Sequence, residues 1–151
     1  MEIGSKIASV DMIDSDGNAI NSAQYAAPLV LYFYPRADTP GCTKEGQGFT
    51  EMGSEFAALG CQIIGVSKDK PTKLAKFKAK YDLSVTLLSD EESDLCEQMG
   101  VWVEKNMYGK KYMGIERATF LFDKEGNLAQ VWRKVKVKEH VEAVLEAAKA
   151  L

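Results

Sequence analysis

The fold of this chain is decided by residues 29–43, which read LVLYFYPRADTPGCT. The first six residues, Leu29 to Tyr34, form a continuous apolar run rich in β-prone side chains. Such a run is typical of a strand that other elements cover on both faces. Pro35 ends the strand, and a polar segment follows. Because open α/β sheets place their functional sites beyond the carboxyl ends of strands, residues 35–42 are the predicted site.

The last part of this stretch predicts the start of a helix. Thr39 suits the N-cap, Pro40 suits the first helical position, and Cys42 then falls at the third. Backbone N–H groups in the first turn of a helix have no partner inside it, and the helix dipole favours negative charge there. This position therefore favours the thiolate of Cys42, which is the reactive form of cysteine.

Periodic apolar patterns predict further elements on both sides of this stretch. In chain order they are a β-hairpin of residues 8–13 and 19–20, a helix with Phe49, Met52, Phe56 and Leu59 on one face, a strand at 61–66, a helix from Pro71, a strand at 85–88, a short helix with Leu95 and Met99, a long loop at 101–114, a hairpin of 118–122 and 128–132, and a last helix from Val141 to Leu151. This order predicts an α/β fold with a mixed central sheet, flanking helices and an N-terminal β-hairpin. A chain of 151 residues is expected to form a single domain, 1–151.

The composition excludes several classes of protein. Nineteen basic and 22 acidic residues give a net charge of −3, which disfavours a dedicated nucleic-acid binder. No apolar run approaches the ~20 residues that span a bilayer, so no membrane association is expected. Residues 1–6 show no basic stretch followed by an apolar one, so no secretory signal is predicted.

The cysteines and the single histidine narrow the chemistry further. Cys42, Cys61 and Cys96 form no CxxC pair, which excludes a zinc ribbon and a thioredoxin-type dithiol, and no metal site is expected. An odd, sparse set of cysteines fits a reducing compartment, so a cytoplasmic location is predicted. His140 is expected on the surface of the last helix. Enzyme chemistry, if present, would run through cysteine or carboxylates.

Several motifs resemble those of a known family. Pro35, Thr39 and Cys42 match the peroxiredoxin pattern Pro-x-x-x-Thr-x-x-Cys, and the TPGCT of residues 39–43 is similar to the bacterioferritin-comigratory, or Q-type, branch. Further matches are Leu88-Ser89-Asp90, Tyr108-Gly109-Lys110 and Gly114-Ile115-Glu116-Arg117-Ala118-Thr119-Phe120. The resemblance implies a thioredoxin-like fold and a thiol-dependent peroxidase that reduces hydrogen peroxide and organic hydroperoxides. It implies no metal, haem, flavin or nicotinamide cofactor, because the electrons come from thiols.

The resemblance also implies roles for individual residues. Cys42 would be the peroxidatic cysteine, whose thiolate attacks the peroxide and becomes a sulfenic acid. Thr39 would hydrogen-bond the thiolate and the peroxide, and Pro35 would cover the sulfur. Arg117 would place a permanent charge beside the sulfur and the developing oxyanion. The backbone amides of Gly41 and Cys42 would complete the substrate site.

One feature departs from the branch, which often carries a resolving cysteine five residues after the first. Gln47 occupies that position, and residues 74–81, on the following helix, contain no cysteine. Cys61 opens a predicted buried strand, which favours a packing role. Cys96 remains a possible resolving cysteine, although its neighbours also suggest packing. The alternative is an external thiol, either thioredoxin or a small thiol such as glutathione.

Other readings stay open from the sequence. The chain could be a thioredoxin-like redox-sensing or binding module in which peroxide turnover is incidental. If it is a peroxidase of the Q-type branch, the resemblance implies that it is a monomer. Gly46 and Gly48 could ease local unwinding of the helix that follows Cys42, or they could allow close packing.

Overall fold

The computed structural model describes residues 1–151 and contains nine strands and five helices. The strands are β1 (Asp11–Asp14), β2 (Ala19–Asn21), β3 (Leu29–Phe33), β4 (Gln62–Ser67), β5 (Thr86–Ser89), β6 (Trp102–Met107), β7 (Lys110–Ile115), β8 (Ala118–Phe122) and β9 (Leu128–Trp132). The helices are α1 (Pro40–Glu51), α2 (Gly53–Ala58), α3 (Pro71–Lys80), α4 (Leu95–Gln98) and α5 (His140–Lys149). None of these helices has both the length and the apolar composition needed to cross a bilayer.

Seven of the strands form one mixed sheet in the order β2-β1-β5-β4-β3-β8-β9. Strand β3 runs parallel to β4 and antiparallel to β8, so that Phe33 lies between Val66 and Ala118. Strands β4 and β5 are also parallel, and the other pairs are antiparallel. The predicted α/β class, the mixed central sheet and the N-terminal hairpin are confirmed, and the fold is thioredoxin-like.

Strand β3 divides the core of the protein into two parts. Alternate side chains of a strand point to opposite faces of the sheet. Val30 and Tyr32 belong to a core cluster beneath α1, α3 and α5, whereas Leu31 and Phe33 belong to a second cluster on the opposite face. All five residues of β3 are buried, as the continuous apolar run predicts.

The helix predicted after Cys42 is interrupted. Helix α1 ends at Glu51 and α2 begins at Gly53, with Met52 between them. The two glycines of α1 lie at close contacts: a Cβ at Gly46 would come within 3.2 Å of Leu83 Cδ1, and a Cβ at Gly48 within 2.9 Å of Val141 Cγ2. Close packing against neighbouring side chains is therefore sufficient to explain both glycines.

The long loop predicted at residues 101–114 is wrong, because this segment forms the β6–β7 hairpin. Tyr108 and Gly109 make its two-residue turn, and both have positive φ. Such turns match the twist of antiparallel strands. Most side chains of the hairpin are exposed on both faces, so the sequence shows no apolar alternation to reveal the strands.

The surface position predicted for His140 is also wrong. Only 6% of the residue is exposed, and its Nε2 lies 2.8 Å from the Thr119 hydroxyl of β8. The ring packs edge-on against Phe49 and Trp132. Burial lowers the pKa of His140 to about 4, and the positive charge of Arg117 contributes to the same shift. Helix α5 therefore begins inside the core, while its last predicted apolar position, Leu151, is exposed.

Candidate active site

The loop between β3 and α1 is fixed at two points. The backbone N–H of Ala37 donates to Asp69 Oδ2 at 2.7 Å, which ties the loop to the segment after β4. Asp38 has a φ of 62°, a left-handed conformation that aspartate tolerates better than most residues. Its carboxylate accepts hydrogen bonds from Tyr81 and from Lys80, the latter at 3.0 Å. These contacts fix the direction in which α1 leaves the sheet.

Cys42 lies at the third position of α1, as the sequence predicts. It is 2% exposed and belongs to the core cluster beneath α1, α3 and α5. The first hydrogen bond of the helix joins the Thr43 N–H to the Thr39 carbonyl, and no side chain caps the helix N-terminus. The amides of Gly41 and Cys42 therefore have no acceptor within the helix and remain available beside the sulfur.

Arg117, the residue immediately before β8, contacts Cys42 through its side chain. Its Nη2 lies 3.3 Å from Cys42 Sγ, and its Nη1 donates to Glu45 Oε1 at 2.7 Å. The Glu45 side chain is fully buried. Burial raises the pKa of Glu45 to about 7, although the neighbouring Arg117 opposes this shift. One guanidinium thus contacts both a thiol and a carboxyl group.

Gly41 allows this close approach of Arg117. A Cβ at position 41 would lie 3.1 Å from Arg117 Nη2, so a larger residue would push the guanidinium away from its position. Glycine at this position therefore leaves room for the guanidinium beside the start of α1.

The Thr39 hydroxyl donates to the Arg36 carbonyl at 2.8 Å. Its proton is therefore directed at the loop backbone, and its lone pairs remain able to accept a hydrogen bond. Pro35 is half-buried and lines a groove beside the site together with Trp102 and Lys105 of β6.

This groove, of about 470 Å³, runs between the β3–α1 loop and the β6–β7 hairpin. Met107 and Tyr112 contribute apolar surface to it, and Arg36 contributes a charge. Burial, and next the charge of Arg117, lower the pKa of Lys105. The groove thus has an apolar wall and a positively charged rim.

The other two cysteines lie away from this site. Cys61 is 5% exposed and immediately precedes β4, whereas Cys42 follows the opposite end of the parallel strand β3. Five residues of strand separate these ends by roughly 16 Å. Burial raises the pKa of the Cys61 thiol to about 11.

Cys96 lies in α4 and is fully buried in the core cluster on the other face of the sheet. Burial, followed by the nearby Asp90 carboxylate, raises the pKa of the Cys96 thiol. Asp90 also accepts the Cys96 backbone N–H at 2.8 Å and pairs with Lys68 at 3.2 Å. The packing role that the sequence suggests for Cys61 and Cys96 agrees with this burial.

Two residues of the site are absent from the sequence-based prediction. Glu45 is one: it follows Cys42 by three residues, and this helical spacing places both on one face of α1. Lys105 is the other. Because the sequence predicts a loop at residues 101–114, it gives no reason to place this side chain beside the site.

The chain is similar to known proteins over nearly its whole length. The sequence model of the AhpC/TSA family matches residues 3–131. Peroxiredoxin Bcp of Bacillus subtilis is 47% identical over 150 residues, which cover 99% of this chain and 96% of that protein.

Solved structures agree with this similarity. The Xanthomonas campestris bacterioferritin comigratory protein, studied for its alkyl peroxide reduction activity in trapped intermediate and ligand complexes, has a TM-score of 0.86 and 45% identity. The match covers 93% of this chain and 90% of that one. A cysteine mutant of Xylella fastidiosa PrxQ has a TM-score of 0.92 and 35% identity, with coverage of 99% and 96%.

The chain therefore belongs to the AhpC/TSA family of peroxiredoxins. Within this family it falls in the Bcp, or Q-type, branch, and it is a thiol-dependent peroxidase that uses a peroxide substrate and a thiol reductant.

Proposed function

We propose that Cys42 is the peroxidatic cysteine and that Arg117, Thr39, Pro35 and the Gly41 amide assist it. The observation that carries this proposal is the 3.3 Å contact between Cys42 Sγ and Arg117 Nη2 at the N-terminus of a helix. A fixed cation and unpaired amides both stabilise a thiolate, and the same groups stabilise the anion that leaves during the reaction.

In the first step, the Cys42 thiolate attacks the terminal oxygen of the hydroperoxide. The S–O bond forms as the O–O bond breaks, and Cys42 becomes a sulfenic acid. The leaving oxygen departs as an anion and takes a proton from solvent, which gives water or an alcohol. Arg117 stabilises this charge. The Thr39 hydroxyl donates its own proton to the Arg36 backbone carbonyl, so its oxygen can accept a hydrogen bond from the peroxide O–H.

We propose hydrogen peroxide and organic hydroperoxides as substrates. The alkyl peroxide reduction studied in the Xanthomonas relative supports the second class. The groove beside Pro35 supports it independently, because Met107 and Tyr112 provide apolar surface for an alkyl group next to the site. Pro35 itself would limit the access of water to the sulfur.

The second step is reduction of the sulfenic acid by an external thiol. The thiol displaces water to form a mixed disulfide with Cys42, and a second thiol then releases the reduced cysteine and a disulfide. Cysteines form disulfides only when their Cα atoms lie within about 7 Å. Cys61 at the far end of the strands and Cys96 across the sheet are both poorly positioned for this, which favours an external reductant such as thioredoxin or glutathione.

We also propose a compartment, a domain organisation and an oligomeric state for the enzyme. All three cysteines are unpaired, which suits a reducing compartment, so we propose a cytoplasmic enzyme. One mixed sheet with a core cluster on each face spans the chain, so we propose a single domain, 1–151. We also propose that it acts as a monomer, as the resemblance to the Q-type branch implies. Size-exclusion chromatography with light scattering would test the oligomeric state.

The proposal is tested by intact mass spectrometry after one equivalent of peroxide, combined with steady-state peroxide consumption. Cys42→Ser should abolish both oxidation and turnover, whereas Cys61→Ser, the matched control, should keep both. Cys96→Ser should behave like the parent and form a mixed disulfide when glutathione is added. Peroxide turnover by the Cys42→Ser protein would refute the role of Cys42, and an intramolecular disulfide to Cys96 would refute external resolution.

A further inference from the structure

One buried acid beside Cys42 has no part in the steps described above. Glu45 lies one helical turn after Cys42, and its side chain is fully buried. Its Oε1 accepts the hydrogen bond from Arg117, but its Oε2 is buried without any hydrogen-bond partner. Burying an ionised carboxylate that is only half satisfied is unfavourable, so the protonated acid is a competing state of this side chain.

Arg117 is shared between two groups that can each become negative. Nη1 contacts Glu45 at 2.7 Å, and Nη2 contacts Cys42 Sγ at 3.3 Å. Both partners belong to the same helix, so neither can take the guanidinium without affecting the other. When two acids share one cation in a poorly solvated site, ionisation of one makes ionisation of the other less favourable.

We propose that Glu45 competes with Cys42 for Arg117, so that ionisation of Glu45 weakens the stabilisation of the Cys42 thiolate and protonation of Glu45 restores it. Glu45 is then a positioning residue that acts on the sulfur through Arg117. This inference rests on the proposed role of Cys42 as the reactive thiol.

The other titratable groups around the pair leave this competition undisturbed near neutral pH. Tyr32 and Tyr34 of β3 stay uncharged, because burial raises the pKa of each far above its usual value. His140 of α5 is also neutral, since its pKa is lowered to about 4. Lys105 of β6 is a second cation on the groove side. The pKa of Glu45, about 7, places its own ionisation in the range where the enzyme would work.

The test is the pH dependence of Cys42 alkylation by iodoacetamide, followed by mass spectrometry, in the wild type and in Glu45→Gln. Glutamine keeps an oxygen that can accept the Arg117 hydrogen bond but cannot carry charge. We expect its alkylation midpoint to fall by about one pH unit, which corresponds to a tenfold larger thiolate fraction at a given pH below both midpoints. Glu51→Gln, at the exposed end of the same helix, is the matched control and should leave the midpoint unchanged.

The direction of the shift separates the possible roles. If Glu45 only holds Arg117 in place, Glu45→Gln would leave the midpoint unchanged or raise it, and either result overturns the proposal. A second readout is the infrared signal of the protonated Glu45 carboxyl in the folded protein. By linkage, this signal should disappear at lower pH in Cys42→Ser, which has no competing anion, and an unshifted signal would also contradict the competition.

The inference and the proposed function fail in different ways. If peroxide does not oxidise Cys42 in the wild type, the proposed function fails whatever the alkylation profiles show. If peroxide does oxidise Cys42 but Glu45→Gln shows no downward shift, only the competition is refuted. Circular dichroism and urea unfolding of Glu45→Gln would establish that the variant is folded before either comparison.

Discussion

Replacement of Arg117 gives the most direct measure of what the site contributes to catalysis. Arg117→Ala removes a charge 3.3 Å from Cys42 Sγ. At an effective dielectric constant of about 20, two unit charges at this distance interact by about 5 kcal/mol. Glu45 draws part of this interaction away, because it holds the other nitrogen of the guanidinium at 2.7 Å. Removal of one fixed donor to a developing anion typically costs about 3 kcal/mol, which corresponds to roughly a 150-fold slower reaction.

We therefore expect Arg117→Ala to react with peroxide about two orders of magnitude more slowly than the wild type. Arg117→Lys should lose less, because it keeps a charge but lacks the planar set of donors that can serve Glu45 and Cys42 together. The assay is the second-order rate of sulfenic acid formation in a single turnover, measured across pH. In both variants the alkylation profile of Cys42 should move to higher pH.

Arg133→Ala is the matched control for these variants. Arg133 is an exposed arginine directly after β9, and it pairs with Glu116 at 2.6 Å and donates to the Gly100 carbonyl at 2.9 Å, with no hydrogen bond to Cys42 or Glu45. Its loss should change neither the peroxide rate nor the alkylation profile. If Arg117→Ala matches this control in both measurements, the guanidinium does not act on the sulfur in solution, and the electrostatic argument for the site is wrong.

Two further predictions concern the helix of the site and the buried histidine. Gln47→Cys places a thiol five residues after Cys42, where the helical rise alone separates the Cα atoms by about 7.5 Å, so an intramolecular disulfide requires α1 to unwind locally. Because Gly46 and Gly48 weaken the interior of this helix, we expect peroxide to yield that disulfide, detected by intact mass as the loss of two hydrogen atoms, and a product that stops at the sulfenic acid, as in the Gln47→Ser control, would count against it. The pKa of His140 is lowered to about 4, against ~6.5 in the unfolded chain, so protonation favours unfolding as the pH falls through this window. Relative to His140→Gln, the wild type should lose about 3 kcal/mol of unfolding free energy between pH 6.5 and 4, measured by urea titration, and parallel pH profiles of the two proteins would show that the ring is hydrated.

The parts of the fold that follow apolar patterning are predictable from the sequence. The run of β3 identifies the central strand, because a strand covered on both faces needs apolar residues at every position. The hairpin of β8 and β9 was predicted at the residues where it occurs, since Asp123 to Asn127 supply turn-forming residues between two β-prone segments. The helix start is also predictable from the local sequence, since Thr39 occupies the N-cap position and Pro40 the first helical position, although the Thr39 side chain makes no capping hydrogen bond.

The parts that failed depend on contacts between distant segments. His140 is polar and lies at the start of a helix, so only the Thr119 hydroxyl of β8, brought to it by the fold, explains its burial. The strands β6 and β7 leave the main sheet and expose both faces, so they lack the alternation that burial on one side imposes. The role of Glu45 depends on Arg117, which lies 72 residues away in the chain and reaches it only through tertiary structure.

The β6–β7 hairpin is structurally separate from the main sheet of the protein. It forms a separate two-stranded sheet, and its base is closed by the hydrogen bond from the Glu116 N–H to the Val101 carbonyl at 2.8 Å. Its side chains form one wall of the groove, while the sulfur and the guanidinium are held by α1 and by the residue before β8. Mutation or grafting of the hairpin can therefore alter which hydroperoxides the enzyme accepts while the reaction centre keeps its geometry. Substrate range can thus be changed, by evolution or by engineering, at hairpin residues such as Met107 and Tyr112, whereas Lys105 of the same hairpin should be kept because its charge acts on Arg117 and Cys42.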